Sequence, residues 1–358
     1  AASAGFVAVA PSGQDSPACG TLNSPCRTIQ QAVNVAASGA TIRVAVGTYT
    51  GQGDAVVSLV YGPGDSGKDL KIIGGHTAGD WNGPLAGPSQ TIIDGQGARR
   101  GVNIVSVPEV SVEIRNMTVR NGRADSSNVV SYTGEVSGGG LYCRNDNPQT
   151  ELPVHLSLID MAFVDNRVLG SLKPASGGGV SLYLRCRTHL ERVEFRDNEV
   201  IGGDVSGSGL RGGHALGGGL FATAESLVSA QTLTFVGNRA IAGSGGRGWA
   251  AHAWDRADGL GGAAAFQYTS VVVDGAVVHG NQAVGGWGSE YGGYGSGGGF
   301  LFEWVDAWVE NGEFENNLAK GGGAGSIEGG VSSGGGAMAT DSTINFANLR
   351  FVGNLSEG

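Results

Sequence analysis

The sequence predicts an all-β solenoid, a parallel β-helix with three short strands per coil and an N-terminal capping α-helix. Three observations carry this. Glycine fills 67 of the 358 positions, about 19% against roughly 7% in average proteins. Two short motifs, a glycine run and a segment ending in asparagine, alternate six times in the same order. Between them the apolar residues follow a period of two, the signature of strands with one face inward.

The N-terminal part, residues 1–40, reads as an extended segment, Gly5 to Ala10, followed by a helix over Pro25 to Ser38. Ser24 can cap it, Pro25 suits the first turn, Ile29, Ala32, Val33 and Ala36 share one face, and Gly39 ends it. This helix is expected to lie over the N-terminal opening of the core. Residues 41–122 supply strand-like pieces at Thr41–Val46, Ala55–Val60, Lys71–Ile73, Thr91–Ile93, Val102–Val107 and Val110–Val119, an irregular start of the same stack.

Residues 123–358 hold the regular coils. The glycine runs begin at Gly138, Gly177, Gly217, Gly261, Gly297 and Gly334, and the second motif ends at Asn166, Asn198, Asn238, Asn281, Asn317 and Asn354. From first glycine to asparagine the distance is 20 or 21 residues in five units and 28 in the first, which carries a polar insertion from Arg144 to Pro153. From asparagine to the next glycine run it scatters from 11 to 23. A core of fixed length with insertions at one point is the pattern of stacked units with loops on one side. Counting back from the asparagine, apolar residues dominate at minus 3 and 5, then at minus 8 and 10, with Gly312 and Thr188 as misfits. The change of parity predicts a corner between two strands, and a third strand follows the glycines. Asparagine tolerates a left-handed corner, and stacked asparagines can join their amides in a ladder. About eight or nine coils are expected.

Composition excludes several classes. With 22 Lys+Arg against 32 Asp+Glu the net charge is −10, so there is no basic footprint for nucleic acid. No apolar run reaches the roughly 18 residues of a membrane span. Cys19, Cys26, Cys143 and Cys186 lack CxxC spacing and suit two disulfides in an exported chain whose signal peptide has been removed. Cys19 with Cys26 closes a short loop, leaving Cys143 with Cys186. These last two stand three and seven residues after their glycine runs, and a regular stack would hold them apart.

The stretch Cys19 to Tyr49, with Ser24-Pro25-Cys26-Arg27-Thr28-Ile29-Gln30, Gly39-Ala40-Thr41-Ile42 and Gly47-Thr48-Tyr49, resembles the opening of secreted bacterial right-handed β-helix proteins of the pectin-lyase-like superfamily. The alternating glycine and Phe-x-x-Asn motifs from Gly138 to Asn354 resemble the repeats of the polymorphic outer-membrane-protein family. The first resemblance implies a right-handed solenoid; the second implies surface display and adhesion.

Candidate chemistry is sparse. Asp274 and Glu310, both at minus 7, fall side by side in adjacent coils, where they could share a proton or hold calcium. His279 with Glu315, and Glu313 with Arg350, are expected as cross-coil pairs on the surface. The stronger signal is aromatic: Trp249, Trp254, Trp287, Tyr291 and Tyr294 lie in the glycine-rich loops that must gather on one side, a surface able to hold sugars or another protein. The expected function is that of an extracellular, non-catalytic structural or adhesive protein, self-associating head to tail into filaments or a surface layer. Its partners would be copies of itself, another surface protein or a polysaccharide, with no cofactor. The alternatives are an extracellular polysaccharide lyase or hydrolase, with calcium at Asp274 and Glu310, and a carbohydrate-binding module using the loop aromatics.

Overall fold

The computed structural model describes residues 5–127, 135–146, 152–206, 211–246 and 256–358. All strand ladders are parallel, and each regular coil crosses four sheets in turn. The main sheet has 12 strands, the longest being Val110–Arg120, Val154–Val164, Cys186–Arg196, Leu227–Val236, Ser270–His279, Asp306–Glu315 and Thr343–Val352. A second, eight-stranded sheet follows the glycine runs, as at Val180–Tyr183, Leu220–Thr223, Ala264–Gln267 and Phe300–Glu303. A third, of seven strands, follows the asparagines, and a fourth, of six, precedes the glycines.

Three strands per coil is therefore corrected to four. The two strands expected either side of the parity change are halves of one strand in one sheet, bent at minus 6. That position is left-handed in every regular coil: Asp160, Arg192, Thr232, Gly275, Asn311 and Asn348 have φ between 51° and 82°. One residue out of the pleat reverses which neighbours face inward, so the parity switch marks a bend and not a change of sheet. Two- and three-residue strands flanking the loops, such as Ala215–Leu216 and Arg239–Ile241, are too short to show a period.

The asparagine ladder forms, but the asparagines are not the left-handed residues. The preceding position is: Asp165, Asp197, Gly237, Gly280, Asn316 and Gly353 have φ of 53–66°. Asn166, Asn198, Asn238, Asn281 and Asn317 are wholly buried. Each side-chain amide donates through Nδ2 to Oδ1 of the next, at 2.8–2.9 Å, and to a carbonyl of the coil before, as Asn198 to Phe163 and Asn238 to Phe195. Each Oδ1 also accepts a backbone N–H, that of Gly122 at Asn166 and that of the previous asparagine at the later rungs, as Asn238 does from Asn198. Buried amides are tolerated because donors and acceptors are matched.

Inside the coils the minus 3 residues stack. The rings of Phe163 and Phe195 lie 5.4 Å apart and those of Phe195 and Phe235 4.7 Å apart, while Phe300 meets Phe235, Phe266 and Phe314 edge-on. Each such side chain contributes about 2–3 kcal/mol through burial, and each aromatic pair about 1 kcal/mol more.

At the N-terminal end, Phe6–Val9 pairs with Ala40–Ala45 of its own chain. The helix spans Ile29–Val35, half of what the sequence predicts, and its N-cap is Thr28, whose hydroxyl accepts from the Gln31 N–H. Residues before it are drawn elsewhere: the Cys26 backbone pairs in parallel with Val9, its N–H donating to Ala8 O and its carbonyl accepting from Ala10 N–H, and the Asp15 carboxylate accepts the N–H groups of Arg27 and Thr28. Ile29, Ala32 and Val33 are buried in the same cluster as the inner residues of the first coils.

Both disulfides are formed, Cys19–Cys26 and Cys143–Cys186, with Cα atoms 4.9 and 6.2 Å apart. The second corrects the expectation of separation. Cys143 lies within the second sheet and Cys186 starts the main-sheet strand of the following coil. A tight turn at Leu184 and Arg185, both left-handed, brings them together across the corner.

Candidate functional site: a groove beside the glycine corner

The glycine runs shape the outer surface as well as the corner. Each begins with a left-handed glycine, φ 61–68° from Gly138 to Gly334. A Cβ on Gly177, Gly261 or Gly334 would lie 2.7 Å from the Cβ of the residue four further on, Ser181, Ala265 or Met338. Those residues point outward on the second sheet, so glycine leaves open the space above them.

The result is a groove of about 620 Å³ running along the solenoid. Its floor is the outward row Phe221, Ala265, Leu301 and Met338, paired in register, packed with Leu216 and Leu260 of the fourth sheet and Tyr183. One edge is polar: Thr223, Gln267, Glu303 and Thr340 face each other in successive coils. The other wall consists of the residues immediately before the fourth-sheet strands, Pro174, His214, Asp258, Tyr294 and Val331, tied by backbone bonds such as Ala215 N–H to Asp258 O at 3.0 Å and Gly259 N–H to Tyr294 O at 2.9 Å. Five coils at ~4.8 Å per step make the wall about 19 Å long.

Titratable groups concentrate at its centre. The Asp258 carboxyl, nearly fully buried, is pushed up to about 7 by burial, with the neighbouring Glu303 adding to the rise; the Tyr294 N–H, donating to Oδ1 at 2.7 Å, and Arg211 and Arg256 oppose it. His214 is pushed down to about 4 by burial first and by Arg211 second. The Asp258 N–H donates to His214 Nδ1 at 3.1 Å, which fixes the imidazole proton on Nε2. His214 Nδ1 and Asp258 Oδ2 are 3.7 Å apart, yet with the imidazole neutral this is no ion pair near neutrality. Glu303 is raised by burial and by Asp341, against a bond from Gln267 Nε2 at 2.6 Å. Arg211 borders the groove, and its Nη1 is buried without a partner among the described residues.

Of the loop aromatics, Tyr294 lines the groove. Tyr291 and Tyr294 hold the Arg256 guanidinium, 5.2 and 4.7 Å from their ring centres, so both are engaged within the protein. Trp287 is half exposed. Trp249 and Trp254 lie outside the described residues. Asp274 and Glu310 stand opposite each other on the outer face of the main sheet, where Asn311 donates to Asp274 at 2.8 Å. Among the described residues no three His, Cys, Asp or Glu side chains come together as a metal site. His279 faces Glu315 at 3.7 Å and Arg350 contacts Glu313, both on the surface.

His214 and Asp258 were readable from the sequence by one signal that spacing alone offers. Both stand three positions before a glycine run, as do Glu135, Pro174, Tyr294 and Val331. A constant offset means a common row, whatever the length of the loop before it.

A family described as a protein of unknown function, DUF1565, matches residues 11–151. No curated protein matches the sequence. Among solved structures, a rhamnogalacturonan lyase aligns at 12% identity over 95% of this chain and 86% of its own, with a TM-score of 0.30. A pectin methylesterase from Aspergillus niger aligns at 12% over 99% and 88%, TM-score 0.29, and the PL6 family alginate lyase AlyGC at 14% over 96% and 39%, TM-score 0.30. The strand register itself carries the parallel β-helix, and these likenesses carry no argument about chemistry.

Proposed function

We propose that this is an extracellular β-helix protein that binds an extended glycan along the groove beside the glycine corner. The observation that carries the reading is the groove's make-up: an apolar floor, a row of hydrogen-bonding side chains on one edge, and a buried guanidinium N–H on Arg211 with no acceptor among the described residues. A sugar chain offers apolar ring faces and hydroxyl edges in the same alternation, and its oxygens would satisfy a donor that is otherwise costly to leave unpaired. The two disulfides support an oxidising, extracellular setting.

Calorimetric titration with a panel of neutral and acidic oligosaccharides tests this. Binding is expected, weakened by Gln267→Ala and blocked by Leu301→Trp, which fills the floor. A panel without any binder would overturn the reading.

A second reading, cleavage of the bound chain, is favoured by one observation: Asp258 keeps its proton up to about pH 7 beside a second carboxyl, Glu303, the environment of a general acid. Release of reducing ends by the wild type, lost in Asp258→Asn and Glu303→Gln while binding persists, would establish it. Binding without cleavage on the same panel leaves the first reading.

A further inference from the structure

Around the next corner of the coil, between the second and main sheets, two large aromatic side chains stand in the open. Tyr268 and Trp304 occupy equivalent positions in adjacent coils, with rings 4.9 Å apart and inclined by 15°, and are 52% and 39% exposed. Both have left-handed backbones, φ 50° and 52°. The corner demands that conformation in neighbouring coils as well, where it falls to Leu184, Ala224 and Asp341, none of them aromatic. A bulky aromatic is among the costliest choices for a positive φ, and such positions cluster where a surface is used. Neither ring serves the core, so folding does not explain the choice.

The rings border a cleft of about 560 Å³. Its charges are mostly negative beside Trp304: Asp306 and Asp341 both line it and are exposed. Glu225 is already paired with Arg185 at 2.9 Å. Arg187, the one cation among the described residues lining the cleft, lies three coils from Asp306 along the register, about 14 Å away. On the floor, Ser226 is buried and its hydroxyl has no hydrogen-bond partner among the described residues. Exposed ring faces flanked by carboxylates attract organic cations, through the ring quadrupole and through charge together, and the chain as a whole carries −10.

We propose that the Tyr268–Trp304 cleft is a docking site for an arginine- or lysine-bearing segment of a partner protein, whose cationic side chain lies against the Trp304 ring between Asp306 and Asp341. The site is separate from the groove and stands whether or not the groove takes a glycan.

The test is calorimetric titration of the full chain with a tetra-arginine peptide, in parallel with tetramethylammonium chloride and a neutral glucose oligosaccharide. The peptide is expected to bind at one site, more weakly as salt rises. Trp304→Asn should weaken it about tenfold. Asparagine suits the left-handed backbone, so this variant keeps the fold, and its melting curve checks that. Asp341→Asn should weaken binding as well, while Glu315→Gln, at the far end of the strand that Asp306 begins, should not. The proposal falls if the peptide does not bind, if Trp304→Asn binds it as tightly as the wild type, or if Glu315→Gln weakens it as much as Asp341→Asn. It also falls if tetramethylammonium or the oligosaccharide takes the same site as tightly as the peptide.

Discussion

The backbone N–H of Asp258 donates to Nδ1 of His214, 3.1 Å away, across two coils of the groove wall. The bond needs a neutral imidazole, and burial supplies one by lowering His214 from 6.5 to about 4 while raising Asp258 from 3.8 to about 7. The linkage has opposite signs. Asp258 contributes stability that is fully present below about pH 4 and lost as pH rises through 7; His214 contributes stability present above about pH 6.5 and lost as pH falls through 4. Between pH 4 and 6.5 the two slopes oppose each other. Asp258→Asn should expose the histidine slope, making stability rise with pH there relative to the wild type. His214→Gln should expose the aspartate slope, a fall from pH 4 to 7. Each slope is at most about 1.4 kcal/mol per pH unit. Urea unfolding at half-unit steps reads the differences, and parallel profiles for all three proteins would refute the assignment.

Removing one asparagine from the middle of the ladder strands several groups at once. In Asn238→Ala the Asn198 N–H and Nδ2 lose their acceptor, and the Phe195 carbonyl and Asn281 Oδ1 lose a donor. With buried unpaired groups costing about 1–3 kcal/mol each, a loss on the order of 3 kcal/mol is expected after relaxation. Asn354→Ala, at a half-buried rung, should cost less; equal losses in denaturant midpoint would argue against a ladder acting as a unit.

Cys143 and Cys186 are 43 residues apart in sequence and join two sheets across a corner. Closing a loop of that size is worth about 4 kcal/mol on chain-entropy grounds, and native disulfides typically contribute 2–5. The double variant Cys143→Ser/Cys186→Ser should unfold at lower denaturant by that amount. Cys19→Ser/Cys26→Ser, which opens a loop of only seven residues, should lose less.

Thr232 is an exposed β-branched residue at φ 56°, in the row where the next coil has Gly275. The left-handed conformation costs an L-residue about 1–2 kcal/mol relative to glycine. Thr232→Gly is therefore expected to raise stability by about 1 kcal/mol, a sign opposite to the usual effect of glycine within a strand. A destabilised variant would mean that the threonine side chain makes up for its backbone.

Much of the stack was legible because burial writes period two into a sequence. The inner rows ending in Phe163, Phe195 and Phe235, and the asparagine row, could be read directly. What escaped was written in one residue at a time. The bend at Asp160 or Arg192 has no apolar mark, since the side chain there stays out of the core. The short strands Ala175–Ser176 and Ala215–Leu216 present a single inward residue each, which no period can reveal. The Cys143–Cys186 bond followed from corner geometry and not from register. The groove was hidden for another reason: its wall residues, Pro174, His214, Asp258 and Tyr294, share neither chemistry nor hydrophobicity, and only their offset from the glycines unites them.

The main-sheet strand that leads to each asparagine keeps one register through the regular coils, and this limits how such a chain can change. One residue added inside that strand would turn every later inward side chain out and carry the asparagine off its rung. A residue added between asparagine and glycine only lengthens a loop, and even doubling the loop costs about 0.6 kcal/mol. That strand is thus closed to length variation, whereas the corner before it, which takes in Arg144 to Pro153 in the first unit, and the loop after the asparagine are open to it. Whole coils can be duplicated or excised, and new loops grafted, while the groove wall three residues before each glycine stays in line.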